Sequence, residues 1–179
     1  MAKSANYFLG LRSIRVRHLF KTKGSSNLDY LEWSKAWHLI KSRFPDANYI
    51  VHRDKDTNYN YFTNHNSGWV VVTVEANEIP HTSDLAITDN RNNPIPKESI
   101  TSVDAQNTIQ RALTKAIALH GVGLNAWTGE KDYITETEFQ AILSGDDIEA
   151  AREIRDNCQL TSKQRKSLFN KFKKPQNEQ

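Results

Sequence analysis

The chain has 179 residues, 37% of them hydrophobic and 25% charged, a size that suits one domain with appendages rather than two independent cores. No stretch approaches the roughly 20 apolar residues needed to cross a bilayer, and arginines interrupt residues 1–20, so we expect neither a membrane span nor a signal peptide. The single cysteine, Cys158, excludes an internal disulfide and favours a reducing cytoplasm.

The charges are distributed unevenly along the chain. Residues 1–53 carry a net charge of +7 and residues 159–179 one of +5, whereas residues 54–103 carry −4 and residues 129–158 carry −6. Two basic blocks separated by acidic ones favour a polyanion-binding surface, with an acidic surface elsewhere. Charged ends are also common in soluble proteins, so charge alone leaves nucleic-acid binding and an ordinary solvated surface equally open.

The first half of the chain predicts one helix followed by strands. Residues 8–20 fit either a strand or a short helix, and residues 21–27 predict a loop. Apolar residues at helical spacing predict a helix over 28–44, which Pro45 ends. Four segments rich in β-branched and aromatic residues then predict an antiparallel meander: residues 48–53, 59–63, 68–77 and 82–89.

The second half is helical. A clean 3.6-residue period predicts a long helix that Asp104 caps and that ends at His120, with Gly121 in the left-handed stop position. Three shorter helices are predicted further on: residues 135–143, 146–157 and 161–172. The whole predicts an α+β fold, a three- to four-stranded antiparallel sheet crossed by one long helix, with an N-terminal helix and a C-terminal helical appendage. We expect a core domain over 1–133, the appendage over 134–174 and a disordered tail over 175–179.

The long helix carries the most informative polar residues. Arg111 and Lys115 are four residues apart and therefore lie one turn apart on the same side of the helix. Asn107, Gln110 and Thr114 flank them, which makes a row of cations and hydrogen-bonding groups able to track phosphates along one strand. The structural alternative is an exposed helix face that is basic only for solubility.

Aromatic and basic residues near the sheet extend the candidate surface. Tyr59 and Tyr61 alternate onto one face of a predicted strand, where exposed rings could stack unpaired bases, whereas buried rings would be core. For Phe62 and Trp69 we favour the core. Four further cations are candidate DNA contacts: Lys41, Arg43, Arg53 and Lys55.

The sequence gives little support to catalysis. Residues 123–131 imitate a phosphate-binding loop, but the second glycine is one residue late, Glu130 stands where lysine should follow, and the segment follows a helix rather than a strand. The six histidines show no paired metal-ligand spacing. A metal-dependent nuclease is the enzymatic alternative, with three imaginable carboxylates: Asp46, Glu75 and Asp89. We expect no enzyme, no cofactor and no metal.

Two long sequence blocks resemble a known family. LDYLEWSKAW (28–37) followed by RFPDANYIV (43–51) resembles the N-terminal signature of phage single-strand annealing proteins of the Sak-three type. IQRALTKAIALHGVGL (109–124), followed by glycine and glutamate at 129–130, resembles the family's second block. The blocks stand in the family's order and spacing, and the resemblance covers about residues 8–133.

The resemblance implies a fold and a function. It relates the chain to the Redβ, Erf and Rad fifty-two annealing proteins, in which oligomeric rings or filaments hold one DNA strand in a groove between sheet and helix and anneal it without ATP. It implies that Arg111 and Lys115 line this groove. It also implies phage homologous recombination in the cytoplasm of a bacterial host, with a host single-strand-binding protein or a phage exonuclease as candidate partners. Plain single-strand binding without annealing is a further alternative beside the nuclease.

Overall fold

The computed structural model describes residues 2–23 and 28–172 and confirms the predicted α+β fold. Residues 24–27 of the predicted loop and the predicted tail, 175–179, lie outside the described residues. The elements are α1 (Ala2–Arg12), β1 (Lys21–Lys23), β2 (Leu28–Tyr30), α2 (Trp33–Arg43), β3 (Asn48–Val51), β4 (Phe62–Thr63), β5 (Gly68–Ala76), β6 (Ile79–Ala86), α3 (Ser102–Leu119), α4 (Asn125–Thr128), α5 (Glu136–Ser144), α6 (Ile148–Asn157) and α7 (Ser162–Phe172).

Four antiparallel strands form the main sheet. Strand β5 lies at its centre, with β6 along one side and with β3 and the short β4 along the other. Alternate residues of β5 are buried: Val70, Val72, Val74 and Ala76. Such alternation leaves one face of the sheet for the core and the other for solvent, and helix α3 packs on the core face against β5 and β6.

Helix α3 begins three residues earlier than the sequence predicts. Thr101, not Asp104, is the N-cap: its hydroxyl accepts from the Asp104 amide, and the Asp104 carboxylate accepts from the Thr101 amide in return. These hydrogen bonds, led by those from Thr101, hold the pKa of Asp104 below its usual value. The residues of α3 that face the core are Ala105, Thr108, Ile109, Ala112, Leu113, Ala116 and Ile117.

Other boundaries differ from the predicted ones because turns and strand pairing override local propensity. Residues 21–23, predicted as part of a loop, pair as strand β1 with residues 28–30, predicted as part of a helix, so α2 starts only at Trp33. The turn at Asn77 and Glu78, both with positive φ, closes a tight hairpin, so β6 starts at Ile79 rather than at residue 82. Residues 8–20, left open between strand and helix, contribute the end of α1 and a short 3₁₀ turn.

Residues 59–61, predicted as part of a strand, are a loop. The Asp54 carboxylate accepts hydrogen bonds from the amides of Asp56 and Thr57, and the Asp54 amide donates to the Tyr59 carbonyl at 2.9 Å. These hydrogen bonds, first those from Thr57, lower the pKa of Asp54. Because the Tyr59 carbonyl group is hydrogen-bonded within this turn, it does not take part in a longer β4, and β4 contains only residues 62–63.

Helix α1 packs against the end of α3 at a glycine. Gly121 has a φ of +120°, and a Cβ atom there would lie 2.8 Å from the Phe8 carbonyl oxygen and 3.0 Å from the Arg12 amide nitrogen. Both the backbone conformation and the close approach therefore require glycine at this position. This contact gives a structural reason for the glycine at position 121.

His120 is a fully buried polar residue at the same junction. Its Nε2 lies 3.1 Å from the Val74 carbonyl oxygen, which can only accept, so Nε2 carries the proton and Nδ1 accepts from the Tyr7 hydroxyl at 2.6 Å. The His81 ring packs edge-on at 4.5 Å. Burial, more than the neighbouring His81, lowers the pKa of His120 to about 4.

This buried imidazole should make stability depend on pH. Because the folded pKa lies below the unfolded value, the unfolded chain binds the extra proton between these values, and stability falls as the pH drops through that window. We expect the free energy of unfolding to fall by about 2 kcal/mol between pH 7.5 and pH 5, measured by urea titration. The exposed His38→Gln variant should keep this dependence, and equal stability at both pH values would contradict the assignment.

Several cations of the basic N-terminal block are paired with carboxylates inside the fold. Arg12 pairs with Glu130 at 2.9 Å and Arg15 with Glu153 at 3.4 Å, so the +7 block contacts the −6 block more than a hundred residues away. Lys21 likewise pairs with Glu32 at 2.8 Å. Arg12, Arg15 and Lys21 are therefore paired cations, and a polyanion-binding surface stays a prediction for the other cations of residues 1–53.

Asp132 joins the N-terminal segment to the C-terminal helices. It is 2% exposed, and its Oδ2 accepts from the backbone amides of Val16 at 2.9 Å and Arg17 at 2.8 Å, while its Oδ1 accepts from the Asn125 side-chain amide. Its backbone forms a bridge to Cys158. Helices α5 to α7 have a small core of their own: Phe139, Ala151, Ile154, Cys158 and Leu168. The domain boundary at residue 133 stays a prediction.

Candidate nucleic-acid interface

A cleft of about 230 Å³ lies between α3 and β3. The β3 side supplies Tyr49, Val51 and Arg53, and the first residue of α2, Trp33, stands at its edge. The full lining is Trp33, Tyr49, Val51, Arg53, Asn60, Gln106, Ile109, Gln110 and Leu113. Aliphatic side chains thus line the cleft together with two aromatic rings, three amides and one guanidinium group.

The two aromatic residues are partly accessible. Trp33 and Tyr49 are each 38% exposed, and the Tyr49 ring packs edge-on against Trp37 at 5.1 Å. Such a supported ring offers a flat apolar surface to a base, and stacking on it tolerates any base because every base has a π-face. Sequence reasoning missed both residues as ligand contacts, since Trp33 fits the apolar stripe of a helix and Tyr49 the apolar alternation of a strand.

Arg53 brings a positive charge to the cleft. One of its guanidinium nitrogens donates to the Asn58 carbonyl oxygen at 2.9 Å, within the turn that Asp54 closes. This hydrogen bond ties the side chain to the loop that also carries Asn60. Lys55 is exposed in the same loop. Of the four predicted sheet-side cations, Arg53 is therefore the one that lines the cleft.

The polar and basic residues predicted to form one row on α3 lie partly in the cleft and partly on the outer surface of the helix. Gln110 lines the cleft together with Gln106, four residues before it, which the sequence interpretation did not include. Arg111 is exposed and lies about 100° further round the helix, and half-buried Lys115 about 140° beyond Gln110. Neither Arg111 nor Lys115 lines the cleft, and the two lie on the same side of α3, about 40° apart around the helix axis.

The remaining predicted contacts occupy different environments. Asn107 is exposed, and the Thr114 hydroxyl donates to the Gln110 carbonyl oxygen within α3. Lys41 donates to the backbone carbonyls of Pro45 and Ala47, which ties its ammonium group to the end of α2. Arg43 is the exposed last residue of that helix.

Two aromatic pairs flank the same loop. Tyr59 is 55% exposed and stacks on Tyr61 with ring centroids 5.2 Å apart. Tyr61 is half-buried and packs against the core. Phe62 and Trp69, expected in the core, are half-buried and stack on each other at 5.9 Å. Tyr59 is thus the more accessible of the two candidate tyrosines.

The three carboxylates considered for a nuclease site, Asp46, Glu75 and Asp89, do not form a metal-binding cluster. Asp89 accepts from the amides of Arg91 and Asn93 in its own turn, and the hydrogen bonds from Asn93 lead in lowering its pKa. Within residues 2–23 and 28–172, no three His, Cys, Asp or Glu side chains group as a metal site would require. In the same ranges, no helix has the length and apolar character to span a bilayer.

The fold and the cleft define a class: an α+β domain with a helix across an antiparallel sheet and an open, aromatic and amide-lined cleft. The family model described as Sak Single Strand Annealing Protein matches residues 6–166. The chain belongs to this family, which confirms the resemblance at the family level and extends it through α5, α6 and into α7; the Sak-three type stays a prediction. Membership supports single-stranded DNA annealing in phage recombination, and such proteins are generally non-catalytic DNA binders. No curated protein and no solved structure matches the chain.

Proposed function

We propose that the chain binds single-stranded DNA in the cleft between α3 and β3 and anneals complementary strands without ATP. The observation that carries this proposal is the pairing of accessible rings, Trp33 and Tyr49, with Arg53 and side-chain amides in one open cleft of a single-strand annealing family member. Unpaired bases can enter such a cleft, whereas the bases of a duplex are already stacked on their neighbours.

The cleft residues make different kinds of contact with a bound strand. The rings stack bases irrespective of sequence, and Gln106 and Gln110 can donate to or accept from base edges or sugars. Arg53 neutralises a phosphate at one end of the cleft. The backbone of the strand then continues over the outer surface of α3, where Asn107 and Arg111 are exposed.

The α3 cations provide a test of this path. We expect Arg111→Ala combined with Lys115→Ala to weaken single-strand binding about fivefold. The slope of log binding constant against log salt concentration should become shallower by about 0.7 for each phosphate that is no longer neutralised. Because Arg111 is exposed and Lys115 is half-buried, most of the effect should appear in Arg111→Ala alone. Fluorescence anisotropy over a salt series measures both quantities.

A matched pair of exposed cations outside the cleft, Arg91→Ala with Lys97→Ala, controls for net charge in that experiment. It should change affinity less than the α3 pair does. Unchanged affinity and an unchanged salt slope in a folded Arg111 and Lys115 double variant would remove these residues from the DNA path.

Annealing follows from holding a strand extended with its phosphates neutralised. Free single strands repel each other and fold on themselves, and a strand already ordered on the protein loses less entropy when its complement pairs. Watson–Crick pairing then supplies the sequence information, so the protein is indifferent to sequence. We propose that it works as a ring or filament of identical subunits, in the cytoplasm of a bacterial host, with a host single-strand-binding protein or a phage exonuclease as candidate partners.

The direct test is fluorescence-monitored annealing of two complementary oligonucleotides without nucleotide or metal, with native mass measurement of the protein–DNA complex. We expect faster pairing and complexes that contain several subunits. Protection of the strands with slowed pairing would show a plain single-strand-binding protein, and magnesium-dependent loss of the labelled strand would show a nuclease.

A further inference from the structure

A second cleft, of about 430 Å³, lies where the segment after α4 meets the start of α7. Its lining is Lys131, Tyr133, Gln159, Leu160, Thr161 and Arg165. Tyr133 is 49% exposed, and the Arg12 guanidinium lies 5.9 Å from the centroid of its ring. The cleft is thus a cationic and polar depression with one accessible aromatic ring.

The cations at this cleft have no carboxylate partner within the described ranges. Arg165 donates through Nε to the Leu160 carbonyl oxygen at 3.3 Å, and Lys131 donates to the Asp156 carbonyl oxygen at 2.7 Å. Backbone oxygens therefore orient both side chains; the charge of Lys131 also acts on the nearby Asp156 carboxylate, whose pKa is lowered mainly by Arg155 and further by Lys131. This differs from Arg12 and Arg15, whose charges are paired with carboxylates.

Helix α7 continues the cationic surface beyond the cleft. Residues 157–172 contain four cations and no acidic residue, and Lys171 is the one that pairs with a carboxylate of the described residues, Asp146, at 3.5 Å. Leu168 and Phe172 pack into the small C-terminal core, whereas Lys163, Lys166 and Phe169 are exposed, the ring of Phe169 by 64%. The two lysines are three residues apart and therefore neighbours on the helix surface, about 5–6 Å apart at Cβ. Lys163 and Lys166 have no carboxylate partner among the described residues, and such cations beside an accessible ring suit single-stranded nucleic acid.

We propose that this surface, defined by the second cleft and the exposed cations of α7, is a second single-stranded DNA site that holds the incoming strand. The proposal rests on the function proposed above, since annealing needs two strands in one complex. The lining contains two cations, Lys131 and Arg165, and no carboxylate, so its charge favours a polyanion over a neutral protein segment. Phosphates with loosely stacked bases fit it better.

The experiment uses the full chain and one variant pair with a matched control. Arg165→Gln with Lys166→Gln removes one cleft cation and one further exposed cation of α7 and leaves the Thr161–Gln164 capping box and the buried Leu168 intact. Arg152→Gln with Arg155→Gln removes the same charge from α6, where both arginines pair with neighbouring carboxylates. Each protein is saturated with one labelled strand and then offered a second, non-complementary strand with a different label.

We expect the α7 variant to bind the first strand within about twofold of the wild type, to lose capture of the second strand, and to anneal complementary strands about tenfold more slowly. The α6 control should behave as the wild type in all three measurements. The fold is checked by thermal unfolding of both variants, which should match the wild type because all four side chains are exposed.

Four results would overturn the proposal. One is normal second-strand capture and annealing by the α7 variant, and another is loss of first-strand binding, which would place α7 in the first site. A third is a wild type that binds one strand and never captures another. The last is binding of a glutamate-rich peptide to the wild type and not to the α7 variant, with annealing unchanged in both. That result would make the surface a protein-docking site. Failure of the wild type to bind any strand is a separate result that refutes the proposed function itself.

Discussion

Replacing Asp132 by alanine is expected to lower the free energy of unfolding by about 4 kcal/mol. The carboxylate is buried and accepts from the amides of Val16 and Arg17 and from the side chain of Asn125. Alanine would leave these donors without a partner, and the Val16 amide belongs to a fully buried residue that water cannot reach easily. Urea unfolding at neutral pH measures the change.

Asp132→Asn is the informative companion variant. Its carbonyl oxygen can still accept from both backbone amides, and Asn125 can turn its own amide to present an oxygen to the new NH₂ group. We expect this variant to lose about 1 kcal/mol, much less than alanine. An alanine variant as stable as the wild type would show that Asp132 does not hold the N-terminal turn in solution.

Removing both accessible rings of the first cleft is expected to weaken single-strand binding about a hundredfold. Stacking contributes roughly 1–3 kcal/mol per base, so Trp33→Ala and Tyr49→Ala should each cost about tenfold and should act together. The two residues line the same cleft and each is 38% exposed, so replacing them removes stacking surface without opening the main core. Fluorescence anisotropy with a short unstructured oligonucleotide measures the affinities.

Ring-preserving and remote substitutions serve as controls for this pair. Tyr49→Phe keeps the stacking surface and should bind nearly as the wild type does. Trp127→Ala removes a ring that is 56% exposed in α4, outside the cleft, and should leave affinity unchanged. If Trp33→Ala and Trp127→Ala weaken binding equally, the cleft has no special part in holding DNA.

Elements with a long, uninterrupted period could be predicted from the sequence. Helix α3 and strand β5 bury regular stripes whose spacing is set by their own geometry, so the pattern alone identifies them. The bounds of α2 and β4 could not be predicted, because pairing of residues 28–30 with β1 and the turn closed by Asp54 depend on partners elsewhere.

The candidate site was predicted only in part for a related reason. Gln110 and Arg53 line the cleft as polar residues of the right type, but the exposure of Trp33 and Tyr49 depends on which flanks α2, α3 and β3 leave uncovered. The salt bridge between Arg12 and Glu130 joins residues 118 positions apart, and no local pattern indicates it. Charge blocks in the sequence therefore overstated the free positive surface of the N-terminal segment.

The most direct test of the account is the affinity of the folded protein for an unpaired oligonucleotide against that for the same sequence as a duplex, at moderate ionic strength. If bases stack on Trp33 and Tyr49 in the cleft, the unpaired strand should bind at least about tenfold more tightly, since even one stacked base is worth that much. Equal affinity for the two forms would contradict the cleft as the place where single-stranded DNA is held.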